Sequence, residues 1–312
     1  MNKILIADNI SSIANKIFEE NKLAFDIKIG LSEDELVEII PEYSALLIRS
    51  GVTVTKTILD NAKNLKVIGR PGVGVDNIDL PAASDNNVIV MNTPLGNVQA
   101  TAELTFALIQ SLYRKITDAN RSMHENRWDK KLFVGSELSG KNIVIVGFGN
   151  VGKKISQISN VYDMNVFTVS DSISEKDEQA YNVKKISFAE SLKIADIITF
   201  HNKLSPQSKH MINSEAISQM KDSAIVINCA RGGIVSEKDM KEALQNNNIS
   251  GYGVDVYENE PEIKSIFTGM KDVVMTPHIG ASTSEAQEKV AKLIAEQIVD
   301  CLLHDKVNNQ VK

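Results

Sequence analysis

Residues 142–152 read Asn-Ile-Val-Ile-Val-Gly-Phe-Gly-Asn-Val-Gly. The unbroken β-branched run Ile143–Val146 predicts a strand, Asn142–Val146, covered on both faces, and Gly147, Gly149 and Gly152 follow it directly, with a helix opening near Val151. In such a strand–turn–helix the first glycine permits the tight turn, the second lets a pyrophosphate approach the backbone, and the third lets helix and strand pack closely. The helix N-terminus beyond them favours an anion. The stretch therefore predicts a dinucleotide site in an α/β fold. An acid that binds the adenine ribose is expected about 20 positions further on, after the predicted strand Asn165–Val169, where Ser170 and Asp171 stand. Asp171 is within range, and no arginine directly follows it to favour a 2′-phosphate.

The same alternation extends in both directions. Upstream, Ile4–Ala7, Phe25–Ile29, Ala45–Ile48, Lys66–Gly69 and Val88–Val90 read as strands, separated by helical segments such as Ser32–Ile40 and Thr55–Ala62. From Asn97 to about His124, Leu104, Ala107, Leu108 and Leu112 recur at helical spacing and predict one long helix leaving the first domain. Downstream, Ile197–His201, Ala224–Asn228, Gly251–Val256 and Val273–Thr276 read as further strands. Ser284–Leu303 then carries Val290, Leu293, Ile294, Ile298 and Leu302 on one helical face and is expected to return the chain to the first domain. The expected organisation is a discontinuous substrate domain, residues 1–96 and 284–312, with a Rossmann-like cofactor domain, 97–283, inserted in it.

Composition is that of a folded globular chain: 312 residues, enough for about two domains, with 43% hydrophobic and 24% charged residues. A net charge of −6 opposes general attraction to nucleic acid. No apolar run approaches the ~18 residues of a membrane span, and the start has too few apolar residues before Asp8 for a signal-peptide core, so a cytoplasmic location is expected. Cys229 and Cys301 have no partners at metal-ligand spacing, so neither a disulfide framework nor a metal site is expected.

Three later residues supply what oxidation of an alcohol to a ketone needs besides a nucleotide. Arg231, in Cys-Ala-Arg-Gly-Gly at the end of a predicted strand, can grip a carboxylate bidentately. His278, in Thr-Pro-His-Ile-Gly, can take the hydroxyl proton, and Glu260, in Glu-Asn-Glu-Pro, can tune that base.

With these motifs in order, the chain resembles the D-isomer-specific 2-hydroxyacid dehydrogenases. The resemblance runs from Leu65-Lys66-Val67-Ile68-Gly69-Arg70-Pro71-Gly72-Val73-Gly74-Val75-Asp76-Asn77 through Asn92-Thr93-Pro94 with Gly96-Asn97, the glycine loop, Asn228–Val235, Asp255-Val256 and Glu260-Pro261 to Pro277–Thr283, nearly the whole chain. It implies His278 as acid/base, Glu260 as its carboxylate partner and Arg231 as the clamp on the substrate carboxylate and reacting oxygen. It implies NAD as cofactor, with Asn150 and Val151 joining the glycines at the pyrophosphate and Asp255 at the nicotinamide. Asn202, Cys229, Ala230, Ile279, Gly280 and Ala281 would line the remainder. Arg49, Ser50, Arg70, Gly72 and Asn97, with Lys130 from an arm of a neighbouring subunit in a homodimer, would bind a phosphorylated 2-hydroxy acid, 3-phospho-D-glycerate, in a cleft between the domains. A chain of this length is expected to lack the C-terminal regulatory domain of longer members, and with it feedback by serine.

Ser170 stands where the family's ribose-binding aspartate is usual, Lys203 replaces a proline shortly after His201, and Val73 replaces a threonine. These departures leave NADP open beside NAD. They motivate an alternative, an NADPH-dependent hydroxypyruvate or glyoxylate reductase. A non-catalytic NAD(H)-sensing protein of the corepressor kind is a further one.

Overall fold

In the computed structural model, which describes residues 2–261 and 265–311, the chain divides into two compact units: Met1–Val98 with Ala281–Lys312, and Gln99–Gly280. In chain order the strands are β1 (Lys3–Ile6), β2 (Ala24–Ile27), β3 (Ala45–Leu47), β4 (Val67–Arg70), β5 (Ile89–Asn92), β6 (Asn142–Val146) and β7 (Asn165–Val169). They continue with β8 (Lys184–Lys185), β9 (Ile197–Phe200), β10 (Ile225–Asn228), β11 (Gly251–Val254), β12 (Val273–Met275) and β13 (Gln310–Val311).

The first unit holds a six-stranded sheet of order β13-β5-β4-β3-β1-β2, parallel except for β13, which pairs antiparallel with β5. Without β13 this is the flavodoxin-like order 2-1-3-4-5. Side chains alternate across it: Leu5, Leu46 and Ile68 belong to one buried cluster, Ile4, Leu47 and Val67 to the other. The predicted C-terminal helix forms as Ser284–His304, its first turn capped by the Thr283 side chain. Val290, Ile294, Ile298 and Leu302 are buried as expected, Leu293 only partly. Ile294 and Ile298 lie so close over β4 that a Cβ on Gly69 would come within 2.8 Å of both.

The second unit holds a seven-stranded parallel sheet of order β12-β11-β10-β9-β6-β7-β8, the Rossmann order 3-2-1-4-5-6 with one strand added. Val144, Val146 and Ile198 pack into one face cluster, Ile143, Ile145 and Ile197 into the other. Both faces are therefore covered, which is why these strands read as continuous apolar runs. The fold class expected from the sequence is the one observed.

Several features differ from expectation. The long helix from Asn97 to His124 is two helices, Val98–Tyr113 and Ile116–His124, because Lys115 turns left-handed at φ +51° and the Tyr113 carbonyl accepts the Ser136 N–H at 3.0 Å instead of continuing the helical ladder. β13, a two-residue edge strand with no periodicity to announce it, was not expected from the sequence. The runs Ile197–His201 and Gly251–Val256 also stop early, at Phe200 and Val254, releasing His201 and Asp255 into the loops at the carboxyl edge of the sheet. No helix of the described residues is long and apolar enough to cross a membrane.

Candidate active site

Between β6 and the helix Asn150–Val161 the three glycines have separate tasks. Gly147 sits at φ +93°, and a Cβ there would lie 2.8 Å from the Asn202 nitrogen; one on Gly152 would strike the Gly147 carbonyl. Around Gly149, by contrast, a Cβ would meet nothing within 4 Å. This open space is at the topological switch point, because β6 borders β9 where the strand order reverses. Asn202, beyond β9, has a buried Oδ1 with no protein partner, while its Nδ2 donates to the Lys203 carbonyl at 3.2 Å. An open backbone cradle at a helix N-terminus beside an orphaned buried acceptor fits a dinucleotide. Asn150 and Val151 form the first turn of that helix. Ser170 and the exposed Asp171 follow β7, the neighbouring strand, with the Ser170 hydroxyl 3.2 Å from that of Ser172. Cys229 and Ala230 follow β10; burial pushes the Cys229 thiol up to about 12, which leaves it an unreactive small apolar group.

Three loops at this sheet edge, after β10, β11 and β12, carry the three chemical residues. The Asn228 side chain shapes the first: it donates to the Arg231 carbonyl at 2.9 Å and accepts from the Ala230 N–H at 3.1 Å. Gly232 then approaches the Tyr257 carbonyl so closely that any side chain would collide with it. Glu237 and Glu258 fasten the same region by exchanging bonds, each carboxylate accepting the other's backbone N–H, at 2.9 and 3.1 Å. His210 adds a 3.2 Å contact to Glu258. In the next loop Glu260 accepts from the Tyr257 N–H at 2.8 Å with one oxygen and lies 2.6 Å from His278 Nδ1 with the other.

His278 itself has φ +52°, a left-handed conformation that costs a non-glycine residue of order 1 kcal/mol or more. The flanking contacts hold it there. Asp255, 1% exposed, accepts from the Ile279 N–H and the Thr276 hydroxyl with Oδ1 at 2.8 and 2.7 Å, and from the Gly280 N–H with Oδ2 at 2.8 Å. Asp255 thus braces the histidine loop from beneath.

The electrostatics follow from these contacts. The Glu260 hydrogen bond raises the His278 imidazole above its ordinary value against the opposing effect of burial; the charges of Glu260 and Asp255 add to the rise and Arg231 opposes it. Burial pushes Glu260 upward, but the bonds from His278 and Tyr257 and the charges of His278 and Arg231 outweigh it and hold its carboxyl below the usual range. Asp255 is raised, chiefly by burial. With Nδ1 committed to Glu260, Nε2 is the ring nitrogen left for a substrate. The arrangement can deliver or accept one proton beside a guanidinium.

In the first unit, Arg49 and Ser50 follow β3 and Arg70 closes β4, so sheet adjacency places both arginines at one carboxyl edge. Gly72 donates its N–H to the buried Thr93 hydroxyl at 2.7 Å. Asn97 precedes the helix Val98–Tyr113, its Oδ1 buried without a protein partner. Lys130 belongs to the other unit, exposed in a short 3-10 turn, Lys130–Leu132. Ile279 and Gly280 stay with the histidine loop, and Ala281 begins the second segment of the first unit. The sequence motifs include Asn77, Thr93, Asn228 and Glu258 without giving them a role, and Asp8 and Glu237 lie outside the motifs. Asn228 and Asp8 did carry a signal, a polar side chain where an apolar strand ends.

Residues 106–280 match the family model described as the D-isomer specific 2-hydroxyacid dehydrogenase, NAD binding domain. The chain belongs to the D-isomer specific 2-hydroxyacid dehydrogenase family. Within it, D-3-phosphoglycerate dehydrogenase of Synechocystis sp. is 39% identical over 303 residues, which cover 97% of this chain and 54% of that protein. D-3-phosphoglycerate dehydrogenase of Archaeoglobus fulgidus is 39% identical over 310 residues, 99% of this chain and 59% of that protein. The chain thus spans somewhat more than half the length of these relatives. Among solved structures, the TT0316 protein from Thermus thermophilus superposes with a TM-score of 0.92 at 28% identity, covering 99% of this chain and 100% of that one. Among the described residues no cluster of three or more His, Cys, Asp or Glu could hold a metal ion.

Proposed function

We propose that the protein oxidises 3-phospho-D-glycerate to 3-phosphooxypyruvate, reversibly and with NAD, the reaction named by the D-3-phosphoglycerate dehydrogenases it is similar to. The observation that carries the chemistry is the 2.6 Å contact between Glu260 and His278, both of which feel the charge of Arg231. Gly147, Gly149 and Gly152 would hold NAD, which would supply the hydride acceptor. His278 Nε2 takes the hydroxyl proton on oxidation and returns it on reduction, Glu260 stabilises the imidazolium so formed, and Arg231 holds the substrate carboxylate and polarises the reacting oxygen. Arg49 and Arg70 take the phosphate, because two guanidiniums suit a dianion better than a small neutral group.

The test is an absorbance assay across substrates and cofactors. The expected result is the highest kcat/KM with 3-phospho-D-glycerate and NAD. Ser170 in the family's aspartate position favours the second reading, a hydroxypyruvate or glyoxylate reductase using NADPH. That reading prevails if those substrates with NADPH give the higher value. No turnover on any of them leaves a nucleotide-sensing role.

We also propose a homodimer formed through the segment that follows the helix break. Ile116, Met123, Trp128, Leu132 and Val134 are all exposed there, Trp128 by 79%, more apolar surface than an isolated arm of a soluble protein leaves to water. Light scattering at micromolar concentration should give twice the chain mass; the mass of a single chain refutes the dimer.

A further inference from the structure

Arg49 and Arg70 meet at one residue that the proposed function leaves without a task, Asn77. In the first unit β3 borders β4 on one side and β1 on the other, and between β1 and β3 the strand order reverses. Ligands of open α/β sheets bind outside the carboxyl ends of the strands at such a reversal. The chain leaving β1 carries Asp8, whose Oδ2 accepts the Arg49 N–H at 3.0 Å and the Gly51 N–H at 2.9 Å, tying the turn after β3 to the end of β1.

Asn77 ties the same turn to β4. Its Nδ2 donates to the Arg49 carbonyl at 2.7 Å and to the Val52 carbonyl at 2.6 Å, and its Oδ1 accepts from Arg70 Nε at 3.3 Å. The network fixes the amide's orientation: reversed, it would set an NH2 against the Nε–H of Arg70 and an oxygen against two carbonyls. The residue is itself anchored, its backbone carbonyl accepting the Val54 N–H at 2.8 Å. Beyond Nε, the Arg70 guanidinium lies over Gly72, where a Cβ would come within 2.5 Å of Nη1. One amide therefore sets both the backbone that carries Arg49 and the plane of the Arg70 guanidinium.

We propose that Asn77 is a positioning residue for phosphate recognition, holding the two arginines at a fixed spacing so that they converge on one phosphate monoester. This rests on the proposal that Arg49 and Arg70 bind the substrate phosphate. A guanidinium already oriented loses less freedom on binding, so the effect falls on affinity and leaves proton transfer unchanged.

The experiment compares Asn77→Ala, Arg49→Ala, Arg70→Ala, Arg70→Lys and the double variant Asn77→Ala/Arg70→Lys, in steady-state turnover and by calorimetric titration with 3-phospho-D-glycerate. Asn77→Ala is expected to raise KM and Kd for 3-phospho-D-glycerate about tenfold, with kcat and the KM for D-glycerate and for NAD held within about twofold. Lysine keeps a charge but lacks the Nε–H that meets Asn77, so the double variant should lose less than the product of the two single losses, what Asn77 adds there acting through the Arg49 backbone alone. Asn77→Gln, which keeps the amide but displaces it by one methylene, should give the same rise in KM and guards against a variant that merely misfolds. If Arg49→Ala and Arg70→Ala leave the KM for 3-phospho-D-glycerate unchanged, the phosphate assignment falls and this proposal with it. If they raise it while Asn77→Ala and Asn77→Gln do not, or if the losses of Asn77→Ala and Arg70→Lys multiply, the phosphate assignment stands and the proposal for Asn77 is overturned.

Discussion

The carboxyl edges of the two sheets are built from the same kind of α/β unit and are equipped in opposite ways. At the edge of the second unit the ionisable groups touch each other: Glu260 on His278, with Asp255 beneath the same loop, and the values of all three are displaced. At the edge of the first unit the cations are guanidiniums, and an amide and a carboxylate aim them through the backbone and Nε: Asn77 on Arg70 Nε and on the Arg49 carbonyl, Asp8 on the Arg49 N–H. Proton transfer needs a group whose charge can change near working pH, so its surroundings must tune it. Anion recognition needs a charge that never changes, so its surroundings need only aim it. Under the proposed function the difference divides two similar sheet edges between chemistry and recognition by the kind of neighbour each charged residue is given.

The sharpest way to break this comparison is to remove the titrating group. His278→Ala should lower kcat by ~10²–10⁴, the usual worth of general acid–base catalysis, while NADH binding followed by fluorescence stays within a few-fold, since the glycine turn is untouched. Turnover within a few-fold of the parent would show that the second edge does not carry the proton transfer.

A smaller effect sharpens it. Ketone reduction requires His278 protonated, so the reductive rate should fall as pH rises through the raised imidazole value, and oxidation should rise over the same interval. Glu260→Gln removes the chief cause of the rise, so both limbs should move to lower pH. The groups that set His278 are Glu260, Asp255 and Arg231, all of the second unit, so Arg70→Ala should leave the midpoint in place while raising the KM for phosphoglycerate. A pH profile unmoved by Glu260→Gln would separate the carboxylate from the base. The same pair bears on stability with opposite signs. The contribution of His278 is complete below its ordinary value of 6.5 and fades as pH rises through the raised one, and that of Glu260 is present above 4.5 and fades as pH falls through the lowered one.

Much of the fold was legible from local pattern. Ile143–Val146 and the glycines after it specify strand, turn and helix through β-branched propensity and the absence of a Cβ, and Val290, Ile294, Ile298 and Leu302 mark a buried helical face whatever lies opposite. The break at Lys115 was not legible, because it depends on Ser136 reaching the Tyr113 carbonyl, and β13 exists only because β5 offers it an open edge.

The candidate site divides along the same line. His278 and Arg231 could be singled out from the sequence as reactive side chains beside small residues, whereas the role of Glu260 came only from the family resemblance. That His278 is held left-handed by Asp255, that Gly232 exists to let one loop lie against Tyr257, and that Asn77 joins the two arginines were decided by tertiary structure alone. The physical reason is range: propensity and periodicity act between neighbours along the chain, whereas an Asn or Asp that braces a distant loop looks in sequence like any polar residue in a turn, and acquires its partner only when the strands are laid side by side.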